Sequence, residues 1–351
     1  MGSLGYQFQD VVVVKLSDEE RKTQTLSLEH VGLAVSAVHR DGLVVLENAV
    51  DIEHMDSLNA ILSKEAVEMA KIPTTHFNNN AIDSKPTGNM SQGPPLEPSS
   101  MFDDIWANGP AVSVISSILG PKPHVNYVNG NTALGNFRGA RQRVHADLTF
   151  NHGSFLFSIV ANYYLVDVSP ANGSTELWLG THRDTTFADH RNCRDDLTVD
   201  KFEAEFGIRD ELLEARASVA PPIQPVVKKG SVVLRDLRLW HAGLSNPSPD
   251  PRIMLAFVHT PWWYQCPAKV VLPEAARSKV EQWASREQYP VEFVAHFVPA
   301  NIDHKKVKFN PNFSSANKGF ISMLPNLPKG LIVGEGDSQP EDDVQNVKVT
   351  A

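Results

Sequence analysis

From His124 onward the chain is built of short runs rich in Val, Ile, Leu, Phe and Tyr, each closed by turn residues. The runs fall at 125–127, 143–148, 155–166, 175–179, 231–234 and 253–259. Short β-branched and aromatic runs at this spacing predict an antiparallel sandwich or barrel, since each strand must bury one face against a second sheet. No strand is followed by a GxGxxG turn, so a dinucleotide-binding fold is not indicated. Upstream the texture is helical. The apolar run Gly42-Leu43-Val44-Val45-Leu46 reads as a buried strand. Asp51 then reads as an N-cap for a helix carrying Met55, Leu58, Ile61, Leu62 and Met69 on one stripe. A second helix opens at Pro110 and stops at Gly120. Between the two, Ile72 to Ser100 collapses into Asn, Pro, Gly and Ser and predicts a long loop acting as a lid. Residues 183–224 read as a polar insertion with one helix from Asp210 to Arg216, and Glu274 to Ser285 as another helix. The expected organisation is one domain over 1–333: a helical part at 1–120, a β core at about 121–265 and an extension at 266–333. The acidic, polar stretch 334–351 is expected to be a disordered tail.

Composition removes several classes. With 42% hydrophobic and 21% charged residues in 351, the chain can build a sizeable core and is not a disordered polypeptide. A formal charge of −9 without a dense Lys/Arg block disfavours nucleic acid as a partner. No run approaches the ~18 apolar residues a membrane span needs. Residues 1–10 lack a basic segment followed by an apolar one, and the last four residues match no simple address, so a cytoplasmic location is expected. Two cysteines, Cys193 and Cys266, cannot make a disulfide framework or a cysteine-rich zinc site. Thirteen histidines leave metal chemistry to be tested.

His-x-Asp occurs four times, at His39/Asp41, His54/Asp56, His145/Asp147 and His182/Asp184. His54 and Asp56 lie on the predicted helix, where i and i+2 diverge. The pairs at 39 and 182 sit in turns and are expected to be solvated. Only His145 and Asp147 fall within a predicted strand, where i and i+2 share a face, so both can point inward while Val144, Ala146 and Leu148 pack outward. An imidazole and a carboxylate on one face supply two of the three ligands of a non-haem Fe(II) site, although a structural hydrogen bond would use the same pair. A third ligand is available at His241, which ends the run after Gly230. A turn rich in Pro, Ser and Asn then leads to Arg252 at the head of the next strand, where a guanidinium can grip a carboxylate through two parallel hydrogen bonds.

These segments together resemble the phytanoyl-CoA dioxygenase-like family of Fe(II)/2-oxoglutarate-dependent oxygenases, over roughly Asp41 to Trp263. The likeness is carried by Asp41–Leu46, by Gln142-Arg143-Val144-His145-Ala146-Asp147, by Asn172-Gly173-Ser174-Thr175-Glu176 through Gly180-Thr181-His182, and by Trp240-His241-Ala242-Gly243 through Asn246 to Arg252. The pattern looks most like a fungal branch that works on natural products. The resemblance implies a mainly β fold with flanking helices around a double-stranded β-helix, the cupin-like jelly roll. It implies that His145, Asp147 and His241 hold Fe(II), and that Arg252, Gln142 and Thr175 contact 2-oxoglutarate, with O2 as co-substrate. Asp147 occupies the position that a halide would need, so halogenation is not expected.

The expected activity is oxidation of a small, largely apolar molecule in secondary-metabolite biosynthesis, by hydroxylation, desaturation, epoxidation or rearrangement. Phe150, Phe155, Phe157, Trp262 and Trp263 could line its pocket or belong to the core. Three other readings stay open: an acyl-CoA 2-hydroxylase of the same mechanism, a non-catalytic jelly-roll binding protein, and a zinc hydrolase. The acyl-CoA reading is disfavoured by the charges at 72–100 and 150–157, where Lys85 is the one lysine or arginine. The tight lysine clusters lie elsewhere, at Lys228-Lys229 and Lys305-Lys306 with Lys308. The sequence leaves a homodimer open.

Overall fold

The computed structural model describes residues 10–78, 87–138, 141–148, 150, 155–191, 206–299, 303–307 and 312–313. Its strands are β1 (Val13–Lys15), β2 (Leu43–Glu47), β3 (Asn89–Ser91), β4 (His124–Ala133), β5 (Ile159–Tyr164), β6 (Glu176–Leu177), β7 (Val232–Asp236), β8 (His241–Ala242), β9 (Arg252–Thr260), β10 (Val270–Pro273), β11 (Glu292–Phe293) and β12 (Ala295–Val298). Eight of these form one sheet in the order β1-β2-β7-β5-β9-β4-β11, with β3 pairing β4. Its centre is antiparallel: β9 pairs β5 on one side and β4 on the other along nearly its whole length.

Alternation along these strands divides the sheet into two faces. Ile159, Ala161 and Tyr163 of β5, Val232 and Leu234 of β7, and Ile253, Leu255 and Phe257 of β9 belong to one apolar cluster with the helices. The intervening residues Val160, Asn162 and Tyr164, Val233 and Arg235, and Arg252, Met254, Ala256 and Val258 face the other way. Opposite that second face lies a short sheet in which β6 pairs β8, extended by bridges from His145 to His241 and from Leu177 to Ile223. Two facing antiparallel sheets exchanging strands in this way make the jelly roll, and the site lies between them.

The helices are α1 (Asp18–Thr23), α2 (Leu28–Asp41), α3 (Ile52–Met69), α4 (Asp103–Trp106), α5 (Gly109–Leu119), α6 (Asp210–Val219) and α7 (Arg277–Ala284). Helices α2, α3, α4, α5 and α7 pack on the outer face, whereas Leu212, Leu213 and Ala217 of α6 pack against the cluster of Val144, Ala146 and Ile208 on the other side. Three of the longer ones begin where the sequence supplies a cap: the side chains of Ser27, Asp51 and Asn108 accept from the first-turn amides of α2, α3 and α5. Gly42 ends α2 at φ 82°, and a Cβ there would meet the His182 ring at 2.5 Å, so only glycine fits. Trp106 joins the layers: its ring lies 5.2 Å from Phe257 of β9, 6.2 Å from Trp283 of α7 and 5.8 Å from Phe293 of β11.

Several expectations change. Strand β4 is far longer than 125–127, because its partner β9 runs the full length beside it. Residues 143–148 form no continuous strand; the facing sheet is so short that only single bridges are made. The sheet also recruits β1 and β2 from the N-terminal part and β11 from the extension, so its strands come from both sides of 121–265. The loop expected at 72–100 contains β3 and buries Thr87, Asn89, Met90 and Gln92, with Gln92 Nε2 donating to the Leu62 carbonyl at 2.8 Å. That half is therefore part of the scaffold and not a lid. Lys85, Cys193, Lys308 and the stretch after Gly334 lie outside the described residues. Among the described residues, no helix is long and apolar enough to cross a membrane.

Removing the Trp106 ring leaves a void against three aromatic neighbours. Trp106→Ala should lower unfolding free energy by about 3–5 kcal/mol, measured by urea denaturation. A loss within ~0.5 kcal/mol, the range of surface substitutions, would show that the helical layer does not depend on this ring.

Candidate metal centre and anion pocket

His145 and His241 face each other across the short sheet. The amide of each donates to the carbonyl of the other at 2.9 Å, and their ring centroids are 4.4 Å apart. Each ring is oriented by its own strand: His145 Nδ1 lies 2.9 Å from the Arg143 carbonyl and His241 Nδ1 lies 3.0 Å from that of Leu239. A carbonyl only accepts, so in both rings Nδ1 carries a proton and Nε2 is the nitrogen available to a metal. Both Nε2 atoms point at Asp147, at 3.7 Å from Oδ1 for His145 and 3.6 Å from Oδ2 for His241. One ligand atom from each of the three residues lies within 4.8 Å of the other two. The Asp147 side chain keeps 35% of its surface accessible, so the cluster is open on one side.

Arg235, on the inner face of β7, is the charge partner of this cluster. Its Nη2 donates to Asp147 Oδ2 at 2.6 Å, and its Nη1 lies 3.4 Å from His241 Nδ1. Burial alone would raise the Asp147 pKa; His241, Arg235 and His145 outweigh it and hold the carboxyl well below its usual range. Burial first, then the Arg235 charge, pushes the His241 pKa down to about 3 against the opposing pull of Asp147. Asp147 is thus ionised and His241 neutral at physiological pH, the states a metal requires.

At the other end of β9 lies a second polar feature. Arg252 is only 1% exposed, and its Nε donates to the Asn172 carbonyl at 3.2 Å. Its Nη1 and Nη2 are buried without a hydrogen-bond partner among the described residues. The guanidinium lies 5.9 Å from the Tyr164 ring centroid, and the Tyr164 hydroxyl is 3.2 Å from Thr175 Oγ1. Buried polar groups are nearly always satisfied, so an orphaned guanidinium edge beside two hydroxyls marks a place for an anion.

The four His-x-Asp pairs separate clearly. His54 bonds Asp104 at 2.9 Å, away from the cluster, while Asp56 meets Lys229. The turn expected at 39–41 is the last turn of α2, and Asp41 is 1% exposed and held bidentately by Arg40, so it is not solvated. Nor is His182 a surface residue: it is 2% exposed, packed under Gly42, with Nε2 3.2 Å from the His39 carbonyl. Gln142 clasps Gly243 by two bonds, its amide to the Gly243 carbonyl at 2.9 Å and its Oε1 from the Gly243 amide at 2.8 Å. Phe150 and Phe157 are core, whereas Phe155 is half-buried and Trp262 and Trp263 are exposed just beyond the end of β9. Sequence reasoning missed Arg235 and Tyr164. Arg235 was signalled by a charge one residue past an apolar run, six before His241; Tyr164 carried no signal beyond its place in a long apolar run.

The jelly roll thus gathers two histidines and one carboxylate at one end of its interior, a donor set able to hold a divalent metal. The phytanoyl-CoA dioxygenase (PhyH) family profile matches residues 38–254, well over half the chain, and the protein belongs to that family. Among solved structures, the chain is similar to EctD from S. alaskensis with 2-oxoglutarate and 5-hydroxyectoine, at 18% identity and a TM-score of 0.47, covering 73% of this chain and 82% of that one. It is also similar to the epimerase SnoN in complex with Fe3+, alpha ketoglutarate and nogalamycin RO, at 14% identity and a TM-score of 0.47, covering 67% and 85%. A third is HygX from Streptomyces hygroscopicus with nickel, 2-oxoglutarate and hygromycin B, at 12% identity and a TM-score of 0.44, covering 77% and 97%.

Arg235→Gln should expose the cost of leaving Asp147 without its guanidinium. The loss should be about 2–3 kcal/mol at pH 7, the low side for a broken buried pair because Asp147 is partly accessible. The folded-state pKa of Asp147 is depressed, so its contribution is complete above the unfolded value of about 3.9 and fades as pH falls below it. Burial raises the Asp147 pKa once the guanidinium is gone, so urea unfolding of the metal-free protein should show the full deficit at pH 7 and a smaller one at pH 3.5. A deficit that does not shrink between pH 7 and 3.5 would contradict this assignment.

Proposed function

We propose that this protein is an Fe(II)/2-oxoglutarate-dependent oxygenase acting on a compact, largely apolar organic molecule, in the cytoplasm and in secondary metabolism. The observation that carries the reading is Arg252: a buried guanidinium with two unpartnered nitrogens, inside the same barrel as a His-Asp-His cluster. A binding module or a zinc hydrolase has no use for both. The donor set fits the metal, since two imidazoles oriented from behind and one ionised carboxylate leave positions open for small ligands.

In this reading His145 Nε2, Asp147 and His241 Nε2 would hold Fe(II). Arg252 would grip the distal carboxylate of 2-oxoglutarate through its free edge, assisted by the hydroxyls of Tyr164 and Thr175. Gln142, steadied by its clasp on Gly243, would also contact 2-oxoglutarate. When bound, Fe(II) and 2-oxoglutarate supply the oxidising power, with O2 consumed, succinate and CO2 released and a substrate C–H oxidised. The protein's own work is to orient and to keep the interior dry. Val160 and Val258, inward-facing and buried, wall the metal end. Arg235 keeps Asp147 ionised and fixed. Hydroxylation is the simplest outcome; desaturation or rearrangement would follow loss of the same hydrogen, and epoxidation would place the oxygen across a substrate double bond instead.

Surface chemistry supports an apolar substrate. Phe155 and Trp263 lie 6.4 Å apart beside the end of β9, the end at which the ligands sit. The lysines that a CoA phosphate cluster would recruit are engaged elsewhere: Lys228 with Glu47, Lys229 with Asp56, Lys305 with Glu68 and Lys306 with Asp303.

Two measurements test the reading. His145→Ala, Asp147→Ala and His241→Ala should each lose stoichiometric Fe(II) under anaerobic conditions and all 2-oxoglutarate-dependent succinate formation, whereas His54→Ala should keep both. Full iron occupancy in His241→Ala would sink the metal assignment. Arg252→Ala should retain iron but bind 2-oxoglutarate some tens to thousands of times more weakly, the ~2–5 kcal/mol of a buried charge pair. Arg252→Lys should recover only part of this, because an ammonium lacks the planar fork. Unchanged 2-oxoglutarate affinity in Arg252→Ala, by calorimetry, would be fatal to the anion pocket. Turnover of a long-chain acyl-CoA in preference to terpenoid or alkaloid skeletons would overturn the substrate class.

A further inference from the structure

The amides of the ligand segment are tied down one by one. The His145 amide donates to the His241 carbonyl at 2.9 Å and that of Asp147 to the Leu237 carbonyl at 3.1 Å. The amide between them, that of Ala146, reaches no carbonyl among the described residues. It donates to a side chain, His190 Nε2, at 3.2 Å.

His190 comes from the segment following the short 3-10 turn Phe187–Asp189, and is 1% exposed. Its Nδ1 lies 3.2 Å from the Phe187 carbonyl. That oxygen can only accept, so the proton is on Nδ1 and Nε2 is an acceptor. Nε2 also lies 3.2 Å from the Ala146 carbonyl, but a ring nitrogen without a proton cannot donate to it, which leaves the Ala146 amide as its partner. The ring is held flat against Phe206, with centroids 4.4 Å apart and planes 7° from parallel, and Phe206 lies 5.7 Å from the His145 ring. The backbone around it is braced to the same strand: His190 bridges Ile208, and the Ile208 amide donates to the Val144 carbonyl at 2.6 Å.

We propose that His190 is a positioning residue for the metal centre: by accepting the Ala146 amide it fixes the peptide between His145 and Asp147, and with it the angle at which the two ligands converge. The proposal rests on the metal reading above. A neutral imidazole suits the task because one rigid ring donates on one side and accepts on the other. A leucine of similar size would fill the space and leave the Ala146 amide buried without a partner. The peptide between the two ligands would then lose its own tie, while the amides of His145 and Asp147 on either side keep theirs.

The test compares His190→Leu and His190→Gln with wild type and His145→Ala, using Co(II) as the probe. Affinity is measured by calorimetry, and ligand geometry by the visible d–d bands. His190→Leu should keep its far-ultraviolet circular dichroism, bind Co(II) about 10–100-fold more weakly and show shifted bands. His190→Gln, whose Oε1 can accept the same amide, should recover most of the affinity and the wild-type bands. Wild-type affinity and spectrum in His190→Leu, or equal defects in Leu and Gln, would overturn the proposal. If His190→Leu does not fold, His190→Asn, polar but one bond too short, takes its place against Gln under the same criteria. His145→Ala separates the two layers: its failure to weaken Co(II) would reject the metal reading itself, whereas its success beside an unaffected His190→Leu would reject only the role of His190.

Discussion

Everything at the site depends on one reciprocal pair of hydrogen bonds. His145 and His241 are far apart in sequence, yet each amide donates to the other's carbonyl at 2.9 Å. In an antiparallel pair, two residues that exchange both bonds stand directly opposite and project their side chains to the same face. That single bridge therefore sets both imidazoles side by side. The carbonyls of Arg143 and Leu239, each two residues before its histidine, then turn Nε2 of both rings toward Asp147. Three ligand directions follow from a backbone pairing and two local bonds, without long-range fitting of side chains.

Two buried guanidiniums give the interior its polarity. Arg235 is matched by Asp147 and so contributes little net charge to the ligand end. Arg252 has no anionic partner among the described residues, and burial lowers its pKa accordingly. A desolvated, uncompensated charge is unfavourable on its own and becomes favourable when a carboxylate arrives. The unpartnered guanidinium of Arg252 and the His-Asp-His cluster thus lie toward opposite ends of β9, the first on the major sheet and the second on the short sheet facing it.

The sequence made some of this legible and hid the rest for definite reasons. His145, Asp147, His241 and Arg252 were readable because a period of two and a turn between apolar runs determine which side chains share an interior. The β-core was readable for the same reason. Helix α2 was not: its two leucines, Leu28 and Leu33, are exposed, and Gly32 and Ser36 interrupt the run, so it is held by packing of the small residues Ala34 and Ala37 with Val38. Strand β3 was hidden within a stretch of Asn, Ser, Gly and Pro, where an Asn ladder replaces apolar alternation: Asn78 donates to Asn131 at 3.1 Å and Asn131 to Asn89 at 3.0 Å. His182 and Asp41 read as solvated because a turn was expected, whereas tertiary contacts bury both. His190 left no trace at all, since it acts through a backbone amide 44 residues away.

These differences share a cause. The major sheet is continuous, with β9 paired on both sides, so its residues obey the simple rules of strand alternation. The facing sheet that carries the ligands has strands only two residues long at β6 and β8 and cannot hold itself by pairing alone. It borrows its rigidity from elements outside the ladder: the Leu237 carbonyl, the Gln142 clasp on Gly243, the Ile208 amide and the His190 ring. Stability and ligand geometry therefore reside in different places. The outer core of Trp106, Phe257 and Trp283 holds the barrel together, while a few ties outside the ladder determine where the ligands point. A short ladder with external ties leaves one side of the cluster open, where the Asp147 side chain keeps 35% of its surface accessible.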